Sequence, residues 1–191
     1  WKSLIFGHYW FDTAKAEIDS MSDGADKTAL QTRWDAIDTY YKSITAIDMS
    51  GKTEVPDGYA KSMGVFSIFP NLTKLDVSDT GLSDFGIGTD GAGLVNLEEL
   101  NLSGLTCDPN DTLFGGLKGL DKLKVLDISD IEGVTDVGGL VNAGVADTIT
   151  TLNISNTGVT KLESIWNADD SKSNFPALTT LTAHGLTLKS I

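Results

Sequence analysis

Apolar residues recur along this chain in the order apolar-x-x-apolar-x-apolar, and the pattern appears six times. The copies are Ile44/Ile47/Met49, Leu72/Leu75/Val77, Leu97/Leu100/Leu102, Leu123/Leu126/Ile128, Ile149/Leu152/Ile154 and Leu178/Leu181/Ala183. Their starts are separated by 28, 25, 26, 26 and 29 residues. In each copy the last two apolar positions are two apart. That places them on one face of a strand and the residue between them on the other. A near-constant period of this length predicts a solenoid, in which every unit buries its apolar side against its neighbours. The question of function then moves from a pocket to a surface.

Turn signals follow the strands. Asp79-Thr80-Gly81 and its near copy Asn156-Thr157-Gly158 are each followed by an apolar residue, Leu82 or Val159, that returns to the core. Glycine there is expected to allow the sharp change of direction. A variable, glycine-rich segment leads to the next strand. Phe69-Pro70-Asn71-Leu72 and Phe175-Pro176-Ala177-Leu178 form a second internal echo. Proline just before the strand stops any preceding helix, and the phenylalanine is expected to fill the convex side of the core. The polar stretch between Ile165 and Phe175 reads as an inserted surface loop.

Together these units resemble the leucine-rich repeat, L-x-x-L-x-L-x-x-N-x-L, over residues 44–191. The resemblance implies an α/β solenoid with a parallel sheet on its concave side and short helices or irregular turns on its convex side. The ninth position departs from the family. Where asparagine is usual, this chain has Lys52, Thr80, Leu105, Ile131, Thr157 and Leu186. Threonine can hydrogen-bond locally in its place, but leucine and isoleucine cannot. Irregular turns are therefore expected.

The N-terminal part lacks the repeat. Leu30, Trp34, Ile37 and Tyr41 fall at helical spacing within 25–41, with Asp23 or Asp26 available as a cap. A shorter helix over 13–21 precedes it across Ser22-Asp23-Gly24. Residues 1–43 thus read as a helical cap on the end of the solenoid and 44–191 as the repeat domain; the alternative is an independent module or spacer. The text from Ala16 to Ile37 also resembles small helical repeats of Gram-positive surface proteins. With the repeats it is similar to the internalin-like layout, a helical cap followed by a solenoid. Residues 1–11, WKSLIFGHYWF, either pack on the hairpin or form an exposed aromatic patch. The chain begins at Trp1 and ends just after a repeat strand, so it reads as part of a longer protein.

Charge narrows the partners. A net charge of -13 argues against nucleic acid and against adsorption to anionic membranes. No apolar run is long enough to span a bilayer. The one cysteine, Cys107, leaves no internal disulfide and is expected to be a small buried apolar residue. Animal extracellular repeat domains commonly cap their ends with disulfides, so their absence points to a bacterial or intracellular origin.

Two columns of outward or strand-end residues carry the candidate chemistry. The residue between the inner strand positions is Asp48, Asp76, Asn101, Asp127, Asn153 and Thr182 in successive repeats. Strands about 4.8 Å apart place these side chains in a line. Neighbouring carboxylates repel by roughly 1 kcal/mol in water, and the interleaved Asn101 and Asn153 relieve this. The column is either a solvated polar face or a ligand groove for Lys/Arg-bearing proteins or hydrogen-bonding glycans. Calcium is disfavoured, because hard cations need oxygens that converge on a point. The acidic stretches Asp108-Pro109-Asn110-Asp111 and Asp169-Asp170 read as solvated loops.

The seventh position is Ser50, Ser78, Ser103, Ser129, Ser155 and then His184. Ser155 and His184 are the only nucleophile–base arrangement on offer. Serine in five repeats instead indicates a structural need for a small hydroxyl at the strand end. Two histidines and one cysteine give no zinc spacing. The glycines of 86–91 lie in a repeat return, not in a phosphate-binding loop. The glycosylation-like tripeptides at Asn71, Asn101, Asn110 and Asn153 read as chance matches.

The expected function is non-catalytic recognition of a protein or glycan by a monomeric domain of a bacterial cell-surface or secreted protein, with no cofactor and no metal. The expected binding residues are Asp48, Asp76, Asn101, Asp127 and Asn153, with their outward neighbours Lys74, Glu99, Val125 and Thr151. Charge reversal along the column is expected to weaken binding without affecting folding. A structural spacer, or the recognition part of a larger enzyme, are the other classes.

Overall fold

The computed structural model describes residues 11, 13–53, 63–82, 93–106, 113–167 and 172–189. The expected features at residues 1–10, Cys107, 86–91, 108–111 and Asp169-Asp170 lie outside them. Helix α1 covers 13–20 and α2 covers Ala25–Ser43. Six short strands follow the repeat starts: β1 (Ala46–Asp48), β2 (Lys74–Asp76), β3 (Glu99–Asn101), β4 (Val125–Asp127), β5 (Thr151–Asn153) and β8 (Thr180–Thr182). They form one parallel sheet in the order β1-β2-β3-β4-β5-β8. The register never slips. Leu75 pairs with Leu100, Leu100 with Leu126, and Leu126 with Leu152.

This is the geometry the period predicts. Each strand pairs with the next repeat in chain order, so the sheet grows as a stack. The inner faces make the core: Leu75, Leu100, Leu126 and Leu152 are buried, as are Val77, Leu102, Ile128 and Ile154. Leu72, Leu97, Leu123 and Ile149 add a third buried row. The returns contribute a 3-10 turn at Met63–Ile68, and short helical turns α3 (Phe114–Gly116) and α4 (Gly138–Asn142) that lie side by side. Phe69 and Phe175 are buried, as their place before proline predicts.

Burial falls away at both ends. In the first repeat Ile44, Ile47 and Met49 are only partly buried against the core. In the last, Leu178 and Ala183 are likewise partly buried, and Leu181 is 37% exposed. The helical hairpin reaches the first end through aromatic rings. Tyr41 packs edge-on to Phe69 with centroids 5.4 Å apart, and Phe11 sits against both Trp34 and Tyr41. The Asn71 side-chain amide donates to the Lys42 carbonyl. Ala14 and Ile18 are buried, yet α2 has no fully buried residue, and Leu30 on its apolar stripe is 38% exposed.

Three local expectations need correction. The N-cap position of α2 is Gly24, which has no side chain, so neither Asp23 nor Asp26 caps the helix. Asp23 instead pairs with Lys27 at 3.0 Å, and Asp26 lies in the first turn, where a negative charge suits the helix dipole. The inserted loop is a hairpin: β6 (Trp166–Asn167) pairs antiparallel with β7 (Lys172–Ser173). Trp166 on it is 63% exposed.

The third correction concerns the turns. The reversal occurs at the eighth position of each repeat, not at the tenth. Gly51, Asp79, Gly104, Asp130, Asn156 and Gly185 all have left-handed backbone, with φ between 52 and 68°. Glycine, asparagine and aspartate are the residues that tolerate this region. At the tenth position Gly158 has an ordinary φ, and a Cβ there would lie 2.6 Å from the Glu132 carbonyl oxygen. Its glycine allows close approach of the preceding repeat's backbone rather than a turn. The ninth position behaves as its chemistry requires. Thr80 donates to the Val77 carbonyl and Thr157 to that of Ile154, both at 2.7 Å, while Leu105 and Ile131 are simply buried.

Candidate functional site

The outward face of the sheet carries every expected binding residue. Asp48, Asp76, Asn101, Asp127 and Asn153 are aligned in register along β1 to β5, and Lys74, Glu99, Val125 and Thr151 form the column beside them. An open groove of about 480 Å³ runs across β1 to β4 and is lined by both columns.

Within the first column, hydrogen bonds are already committed to the fold. Asp76 Oδ1 accepts from the Ser78 amide and hydroxyl at 2.9 and 2.6 Å. Asp127 does the same with Ser129, and Asp48 with Ser50. Asn101 and Asn153 accept from the amides of Ser103 and Ser155. Each is a side chain closing a turn on the backbone two residues ahead, the local bonding in which Asp, Asn and Ser excel. In three repeats the serine hydroxyl braces the carboxylate as well: Ser50 on Asp48, Ser78 on Asp76 and Ser129 on Asp127.

A second set of bonds runs between repeats. The Asn101 amide donates to Asp76 Oδ2 at 3.0 Å, and the Asn153 amide to Asp127 Oδ2 at 2.8 Å. The alternation of acid and amide is therefore a pair of rungs, Asp76–Asn101 and Asp127–Asn153. Asp76 and Asp127 each accept three hydrogen bonds, so charge reversal there is expected to cost fold stability as well as any binding.

The neighbouring column makes fewer such demands. Lys74 pairs with Glu99 at 2.6 Å, with both side chains about half exposed, and Lys124 with Glu98 at 2.8 Å. Exposed pairs of this kind contribute roughly 0–1 kcal/mol. Val125 and Thr151 are half-buried and have no such partner role. Beyond them, Thr73, Thr150 and Thr179 donate to the carbonyls of Thr45, Lys124 and Thr150 in the preceding repeats. This threonine column and the eighth-position turn column were not identified from sequence. The second was readable there, since only Gly, Asp and Asn occupy that position.

Ser155 and His184 do meet, but through the backbone: the His184 amide donates to Ser155 Oγ at 3.1 Å. Among the described residues no group of His, Cys, Asp and Glu is placed to hold a metal ion, and no helix is long and apolar enough to cross a membrane.

Two carboxylates are held below their ordinary values. The Ser50 hydroxyl and amide lower that of Asp48, and Lys124 lowers that of Glu98. A lowered carboxylate stabilises the fold at neutral pH and loses that contribution as pH falls through the folded value, here beneath 3.8 for Asp48 and 4.5 for Glu98. Thermal unfolding midpoints measured down that range are expected to drop. Asp48→Asn should remove part of the drop, because an amide keeps the Ser50 backbone bond without titrating.

No family model matches the chain, and no curated protein matches it. Among solved structures, it is similar to the functional domain of InlJ from Listeria monocytogenes, which includes a cysteine ladder. That likeness has a TM-score of 0.43 at 17% identity and covers 78% of this chain. The chain spans 32% of the length of that domain.

Proposed function

We propose that this chain is a non-catalytic recognition module of the leucine-rich-repeat type, whose partner docks on the concave sheet face. The observation that carries the reading is the groove across β1 to β4, formed where, among the described residues, no other layer lies against a regular face of outward side chains. Single parallel sheets ordinarily have both faces covered. Solenoids leave the inner curve open, and such extended surfaces serve binding. A bacterial cell-surface or secreted setting fits the acidic, disulfide-free composition and the resemblance to internalin-like proteins.

The division of labour between the two columns refines the set of contact residues. The Asp/Asn column holds the turns, and the outer column of Lys74, Glu99, Val125 and Thr151, committed only to the exposed Lys74–Glu99 pair, is the part a partner reads. Long side chains placed there block the face without touching the core. In a screen against immobilised proteins and glycans, Val125→Arg/Thr151→Arg is expected to weaken a specific ligand at least about tenfold, the loss of one central contact. Val141→Arg on the convex α4, where Val141 is 39% exposed, should leave it unchanged. The reverse pattern, with the convex variant weakened and the concave one intact, overturns the reading.

A further inference from the structure

We draw no further inference here: the strongest candidate, the outer edge of β8 with Leu181 and Leu188 exposed in the last repeat, is among the described residues an unpartnered apolar face, and nothing in the structure shows what covers it.

Discussion

Asp127→Ala is expected to lower the unfolding free energy by about 2–3 kcal/mol, far more than an ordinary substitution of a half-exposed acid. The side chain accepts from the Ser129 amide, the Ser129 hydroxyl and the Asn153 amide. Removing it leaves donors of two adjacent repeats without their acceptor in a partly buried strand end. Asp127→Asn should cost only about 1 kcal/mol, since an amide still closes the turn as it does at Asn101 and Asn153. Its own NH2 group would, however, meet that of Asn153. Urea unfolding followed by circular dichroism distinguishes the three proteins. An alanine variant as stable as the parent would mean that these hydrogen bonds contribute nothing to holding the repeats.

Leu126→Ala should cost about 3–5 kcal/mol, within the range for a fully buried leucine whose surroundings cannot collapse. Leu126 is completely buried on β4, between Leu100 and Leu152, with a repeat packed on either side. Leu181 occupies the same position on β8 but is 37% exposed. Leu181→Ala should cost about 1 kcal/mol or less, because little contact is lost there. The same unfolding measurement tests both. Equal losses at the two sites would contradict a core that thins toward the ends of the stack.

The spine of the fold was legible because it depends on one strong signal. Apolar residues at six repeats fix which positions face inward, and neighbouring repeats of similar length can pair only in register. The strands, their parallel order and the buried Phe69 and Phe175 follow from that pattern. The helical hairpin was legible for the same reason, from 3.6-residue periodicity. Its thin burial was not, because periodicity reports which face is apolar and not how well that face is covered.

The turns were misplaced by two residues. Gly81 and Gly158 drew attention as glycines, while the left-handed position is occupied by Asp79 and Asn156 in those repeats. Reading down the eighth column, where only Gly, Asp and Asn occur, would have found it. The hairpin at Trp166 was missed because two-residue strands leave no alternation to detect. The sequence told which side chains share the outward face, and the register aligns both expected columns there, but not what those side chains are bonded to. A line of Asp and Asn looks like an offer to a ligand. Only the hydrogen bonds to Ser78, Ser103, Ser129 and Ser155 identify it as the brace of the turns.

The Asp/Asn column ties successive repeats together through Asp76–Asn101 and Asp127–Asn153, and this role is directly measurable. Its most direct test is a double-mutant cycle at Asp127 and Asn153, measured by urea unfolding of the parent, Asp127→Ala, Asn153→Ala and the double variant. A coupling energy of about 1–2 kcal/mol is predicted, as expected for two side chains joined by a hydrogen bond across the repeat boundary. Losses that add to within about 0.3 kcal/mol would contradict it, since additivity is the behaviour of independent sites.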